Sequence, residues 1–354
     1  MAPLAQVPWG MVTYLVVLSS MSLSVLLLNE RVHYRDYRWV IFSLMLLFVI
    51  FFLAWGGYSK DSWRYVNGFI GSPLVYGKEH LFYIIGYFLD KAFVAPWPLK
   101  IYAAGCAGLV CLSIAKFHGM DKPRHVIFGM LILALTPACF LLMGNALRQA
   151  YAAVIIVFGM MYFVQGRYFI FLFSGIVAFS FHQTSVILFA AVALTNFRIP
   201  LGWTCLGLAV APFVSFLVVF VDQILGLAIV RGDWKYFLDK TEGVFYLEKF
   251  VLAYSVAWFF LLSNPDRNDG KQRVLWVYVY MVMMSCLLLR FQIPFERMLA
   301  YSELLWPLCL PVVASSYKRV LNYRVVRLGG SVFLLVMGLL LWTHGSILSS
   351  LGYL

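Results

Sequence analysis

Charge is what this chain of 354 residues has least of: Asp, Glu, Lys and Arg together make up 12% of it. Soluble domains carry about 25%. Hydrophobic residues reach 63%, which leaves too little polar surface to cover a water-soluble particle of this length. Cysteine is scarce as well. The six cysteines, at 106, 111, 139, 205, 286 and 309, lie in or beside apolar runs. None forms a CxxC pair or neighbours a histidine at ligand spacing. They read as small core residues, so neither a disulfide framework nor a metal site is expected. The motifs of soluble catalysis are missing too. There is no P-loop, no G-x-S-x-G elbow, no H-E-x-x-H helix, and no paired-Asp motif for a metal-bound nucleotide sugar. The opening "MAPLAQVP" carries no charged side chain, and the first basic cluster follows the first apolar run. That order argues against a cleavable signal.

What the chain has in abundance is long apolar runs. A crossing helix needs about 20 such residues, fewer if the helix is broken or shielded by neighbours. Candidates lie at 9–28, 39–55, 98–115, 126–143, 147–164, 168–181, 184–196, 201–221, 247–263, 274–290, 298–315 and 328–348. The runs are continuous rather than alternating, which excludes a β-barrel. The expected fold is an all-α polytopic membrane bundle of about 12 spans (range 10–13), some broken or re-entrant, forming one integral membrane domain over 1–354. The stretch 80–95 is apolar but holds Asp90 and Lys91, and reads as a short interfacial or re-entrant helix.

The net charge of +12 does not point to nucleic acid, because the basic residues sit between apolar runs. The partner it implies is the lipid bilayer. Loops 29–38, 116–125, 165–167, 195–200, 264–273 and 316–327 hold 15 of the 27 Lys and Arg but only five of the 15 acids. Those loops are therefore expected on the cytoplasmic side, with both termini outside. The stretch 168–196 decides the parity. Read as two short limbs, it puts His182 at a bend near the outer face. Read as one long helix, it reverses everything after it. The basic loops that follow favour two limbs.

In that orientation the outer face gathers the polar chemistry. Loop 56–80 offers Asp61, Arg64, Tyr65, Lys78 and Glu79. "MGNALRQAY" offers Asn145, Arg148 and Gln149, and "FHQTS" offers His182, Gln183 and Thr184. "LLLRFQIPFERMLAY" offers Arg290, Gln292, Glu296 and Arg297. The loop 222–249 reads as extracytoplasmic with amphipathic helical character. A lone arginine at a helix end can snorkel to the interface. Arg148, Arg290 and Arg297 together, on the side that the positive-inside rule would leave poor in cations, ask for a joint explanation. A guanidinium is planar and permanently charged, which suits it to phosphate. A lipid-borne pyrophosphate is a natural ligand. Glu296 has a plainer alternative as the ion partner of Arg297 or Arg290.

These stretches, in their order, resemble the EpsG-like family of Wzy-type polysaccharide polymerases. The resemblance rests on "YSKDSWRYVNGF", then "GKEHLFYIIGYFL". It continues through "NALRQAYAAVIIVFGMMYFVQGRYFIFLFSGIVAFSFHQTSVIL" to "IPFERMLAYSELLWPLCLP", spanning roughly residues 55–310. One departure is Lys60, where an arginine is expected shortly before Asp61. The resemblance implies a bacterial inner-membrane enzyme, similar to GT-C glycosyltransferases. It would join oligosaccharide repeat units carried on undecaprenyl diphosphate, for O-antigen or exopolysaccharide, with its active site facing the periplasm. No cofactor or metal is implied. A chain-length regulator is implied as a partner by family analogy alone.

For that reaction the residues divide into roles. Arg148 and Arg297, supported by Arg290, would stabilise the departing diphosphate. His182 would take the acceptor's proton, because an imidazole ordinarily titrates near neutrality. Glu79 and Asp61 compete for that role. Tyr65, Asn145, Gln183 and Glu296 would hold sugar. Two rival readings use the same cations: a transporter or flippase of lipid-linked sugars, and a ligase-type transferase with a polyprenyl-diphosphate donor. The flippase is disfavoured by the lack of an internal repeat relating the two halves.

Overall fold

The computed structural model describes residues 20, 34–55, 62–70, 80–94, 96–136, 142–143, 146–225 and 244–316. All of the regular structure among them is helical. In chain order the helices are α1 (Tyr34–Trp55), α2 (Ser62–Ile70), α3 (His80–Ala92), α4 (Trp97–His118), α5 (Pro123–Leu135), α6 (Leu147–Val164), α7 (Tyr168–Phe181), α8 (Ser185–Leu194), α9 (Leu201–Leu225), α10 (Val244–Leu262), α11 (Arg273–Cys286), α12 (Gln292–Glu303) and α13 (Trp306–Ser316). The all-α expectation holds.

Among the described residues the full-length crossings are fewer than the dozen expected of the whole chain. Among the described residues three segments are long and apolar enough alone: Tyr37–Ala54, Trp97–His118 and Leu147–Val164. The broken pair Pro294–Glu303 and Trp306–Ser315 makes a fourth if counted as one span. The other apolar runs fold as shorter helices because local chemistry interrupts them. The run 126–143 stops at Leu135, where Thr136 turns extended (φ −84°, ψ 114°). Thr136 precedes Pro137, and a residue before proline is pushed out of the α region. The run 298–315 breaks after Glu303, with Pro307 in the first turn of α13, where its missing N–H costs nothing. The run 274–290 ends as helix at Cys286. The stretch 168–196 is two helices, as favoured above, with His182 extended between them (φ −161°, ψ 124°).

The runs 9–28 (Ser20 apart) and 328–348 and most of loop 222–249 lie outside the described residues; the loop's described ends are helical, in α9 and α10. Helix α2 was hidden in the polar loop 56–80. Its signal is Tyr65 and Phe69, one turn apart and both buried.

Large apolar side chains stand out on the exterior. Phe169, Phe173 and Ile176 of α7 are exposed, as are Trp203, Phe213 and Phe220 of α9. An apolar surface of that extent fits lipid rather than water.

The chain divides into two compact units, Met1–Ser185 with Trp306–Leu354, and Val186–Leu305. In the first unit α4 is the hub, packed against α1, α3, α5, α6 and α13. Its buried Ala103, Ala104, Cys106 and Ala107 let neighbouring backbones come close, the usual means of packing where water supplies no driving force. Helices α6 and α7 form a tight hairpin. Gly166 turns it at φ 77°, a value that favours glycine. At Gly159 an added Cβ would lie 2.6 Å from Ser174 Cβ, so only a glycine permits that approach.

In the second unit α11 packs against α9, α10 and α12. Helix α9 contains Pro212, which cannot bond the carbonyl of Leu208 one turn back. The Tyr254 hydroxyl of α10 donates to that oxygen at 3.1 Å. The first unit repeats the device. Pro311 lies inside α13, leaving the Pro307 carbonyl, and His118 Nε2 of α4 donates to it at 3.0 Å. His118 is fully buried, and this bond accounts for an imidazole in that place. A freed carbonyl in an apolar setting costs several kcal/mol if left alone, on the order of 1–3 in proteins.

Candidate functional site

The α6–α7 hairpin sets the site's register in the first unit. Arg148 is the second residue of α6, and His182 follows the last residue of α7. The two antiparallel helices therefore deliver both residues to one end. Ring contacts fix the register there: Phe181 stacks on Tyr151 with centroids 5.4 Å apart and planes 10° from parallel.

Around Arg148 the structure builds a ladder of aromatic rings. Tyr151 donates from its hydroxyl to the Tyr102 carbonyl at 2.8 Å. Tyr102 in turn donates to the Phe82 carbonyl at 2.7 Å. Phe82 stacks on Tyr102 at 4.7 Å, and Phe69 does so at 5.9 Å. Tyr65 meets Phe82 edge-on at 5.3 Å. Helices α2, α3, α4, α6 and α7 all contribute. Offset and edge-on ring pairs of this kind add about 0.5–1.5 kcal/mol each beyond their area burial.

Arg148 lies at the edge of this ladder. Its guanidinium carbon is 5.4 Å from the Tyr65 ring centroid and 5.8 Å from that of Tyr83. Both distances are within the reach of a cation–π contact. Its Nη1 donates to the Tyr83 hydroxyl at 3.3 Å. Two ring faces and one oriented bond thus meet the charge, on a half-buried side chain. Gln149, next to it, is buried.

His182 is half-buried. Its backbone N–H donates to the Ala178 carbonyl at 2.9 Å, and its own carbonyl accepts from Ser185 at 3.1 Å. Backbone groups therefore meet both the N–H and the C=O of His182. Gln183 occupies the turn beside it, also half-buried.

The remaining candidates are placed as follows. Tyr65 is buried, with Arg148 over its ring. Arg290 sits in the turn after α11, where its backbone N–H donates to Ser215 Oγ at 2.8 Å. Glu296 and Arg297 are neighbours on α12; Arg297 is exposed. The Glu296 carboxylate lies 3.9 Å from Lys249 Nζ, so the ion pair seen there is with a lysine and not with an arginine. Asp61, Glu79 and Asn145 lie outside the described residues. Arg148, Tyr65, His182 and Gln183 belong to the first unit, and Arg290, Glu296 and Arg297 to the second.

Sequence reasoning passed over Tyr83 and the ring ladder. A signal was available. Gly68 and Phe69 on α2 alternate with Tyr83 and Gly86 on α3, one ring and one glycine on each helix. Among the described residues no disulfide joins the five cysteines, and four of them are buried.

A family model described as EpsG family matches residues 37–351. No curated protein and no solved structure matches the chain.

Proposed function

The chain belongs to the EpsG family, and from that premise we propose that it is a membrane glycosyltransferase. It polymerises oligosaccharide repeat units carried on undecaprenyl diphosphate, at the periplasmic face of a bacterial inner membrane. The observation that carries this reading is Arg148, a guanidinium braced by Tyr65 and Tyr83 at the same helical end as His182.

The reaction breaks one bond and forms one. The bond from the donor sugar's anomeric carbon to the diphosphate oxygen breaks, and its electron pair leaves with the diphosphate. The acceptor sugar's hydroxyl oxygen bonds that carbon, and its proton passes to a base. The transition state resembles an oxocarbenium ion. Negative charge grows on the leaving group, and preorganised cations lower its energy. Arg148 carries five N–H donors, so a bond to Tyr83 is compatible with a two-pronged grip on phosphate. Two lipid diphosphates take part in each cycle, the donor's and the acceptor's, and Arg290 and Arg297 are diphosphate ligands in this reading. His182 takes the proton, with Asp61 and Glu79 as the competing bases. Tyr65, Asn145, Gln183 and Glu296 are the sugar contacts. A diphosphate leaves readily as an anion, so no general acid is required, and in this reading the three arginines supply the charge stabilisation that a divalent metal would otherwise give.

The test uses purified protein and a synthetic undecaprenyl-diphosphate repeat unit, with products resolved by length. A ladder of lengthened lipid-linked glycans that persists in EDTA is expected. His182→Ala should abolish the ladder while the protein still inserts and folds. Translocation of the lipid in liposomes without lengthening would replace the polymerase by a flippase. Transfer to a different acceptor, without a ladder, would replace it by a ligase-type transferase.

A further inference from the structure

We propose that Tyr83 is a positioning residue for Arg148: its hydroxyl sets the direction of the guanidinium, so that the fork meets a lipid diphosphate already oriented. The proposal rests on the reading of Arg148 as a diphosphate cation.

An arginine in the first turn of an apolar helix ordinarily follows the water, bending its long stem toward the interface. Arg148 instead has one nitrogen bonded to the Tyr83 hydroxyl and its plane near two rings. Cation–π attraction holds a charge near a ring but leaves its rotation loose. The hydrogen bond from Nη1 to the Tyr83 hydroxyl is directional. Bidentate recognition of phosphate depends on that direction, because both prongs must point at the anion together.

Such a brace works only if the brace itself is fixed, and Tyr83 is. Its ring lies on Gly68 of α2, where an added Cβ would come within 2.6 Å of the ring. The Phe69 ring lies on Gly86 of α3 in the same way, with no room for a methyl group. The two helices thus interlock ring-on-glycine in both directions. Phe82 meets Tyr83 edge-on at 5.5 Å, and Tyr83 is buried. A phenylalanine would pack as well in this place. The tyrosine adds only the hydroxyl, and the structure gives that hydroxyl the Arg148 N–H.

The experiment is a double-mutant cycle on purified protein in nanodiscs. Binding of undecaprenyl diphosphate is titrated directly, and turnover is read from the glycan ladder. Tyr83→Phe keeps the ring and its packing. We expect an unchanged melting temperature, about tenfold weaker diphosphate binding and about tenfold slower turnover. In an Arg148→Lys background, whose point charge has no fork to direct, Tyr83→Phe should cost nothing more. Unaltered binding in Tyr83→Phe overturns the proposal. So does a loss that multiplies in full with Arg148→Lys, because it would not act through the guanidinium. A Tyr83→Phe protein that no longer folds gives the hydroxyl a structural role and overturns it as well. Binding that depends on both residues, without any ladder, would leave the positioning role standing and remove the polymerase. A ladder with binding indifferent to Arg148→Ala would do the reverse.

Discussion

Two arginine sites, one in each compact unit, carry the same side chain on different supports. Arg148 is half-buried, bonded to Tyr83 and flanked by Tyr65, at the edge of a ring ladder built from five helices. Arg297 is exposed on α12, a helix of 12 residues with a partly exposed ion pair beside it. The difference teaches where preorganisation resides. A more exposed guanidinium meets more of the cost of ordering when an anion arrives. One already braced against rings has met much of that cost during folding. On this view Arg148 carries the larger share of any transition-state stabilisation, although both residues read alike in the sequence.

The largest expected effect is therefore Arg148→Ala. Turnover should fall about 100-fold to 1,000-fold, the usual loss when one preorganised charge donor is removed, measured as the initial rate of ladder formation. Arg148→Lys should recover only part of it. A compact ammonium keeps the charge and loses the planar fork.

Next comes the scaffold. Gly86→Ala drives a methyl group into the Phe69 ring, and Phe69 also stacks on Tyr102, so it has little room to retreat. Overpacking of this kind costs about 1–3 kcal/mol, read as a lower melting temperature in detergent. The second unit supplies the control. At Gly207 an added Cβ would meet Met283 Sδ at 2.9 Å, the soft end of a flexible chain. Gly207→Ala should cost under about 1 kcal/mol. Equal costs at the two glycines would mean that the ring ladder is no more rigid than the methionine contact.

Arg297→Ala should do less than Arg148→Ala, about fivefold on turnover, because an exposed charge contributes roughly 1 kcal/mol or less. A loss as large as that of Arg148→Ala breaks the comparison outright: exposure would then say nothing about catalytic weight.

Most of the fold was legible because apolar runs and prolines act locally. The two limbs of 168–196 followed from the basic loops that come after them, and the structure has a helix on each side of His182. The short helix at 80–95 was legible from its apolar run. Helix α2 was not, because its polar residues masked a pair of buried rings one turn apart. Helix length was not legible where a single residue overrode hydropathy, as Thr136 does before Pro137. The site was legible in its residue types and not in its support. Arg148 and His182 stand out as polar groups in apolar surroundings. Tyr83 looks like any belt tyrosine until α2 and α3 are packed together. Its role is a tertiary property, set by a glycine on another helix.

The smallest effect separates two accounts of Glu296. As the partner of Lys249 at 3.9 Å, with both side chains partly exposed, it contributes about 0–1 kcal/mol. Glu296→Gln and Lys249→Met should then lower the melting temperature by the same small amount, and their combination should cost no more than either. As a sugar contact it would behave otherwise. Glu296→Gln would raise KM for the acceptor repeat unit while Lys249→Met left KM alone, because only the carboxylate would meet a hydroxyl. Equal small losses in stability with unchanged KM in both variants would assign Glu296 to the packing of α10 against α12. The second unit's claim on the substrate would then rest on Arg290 and Arg297 alone.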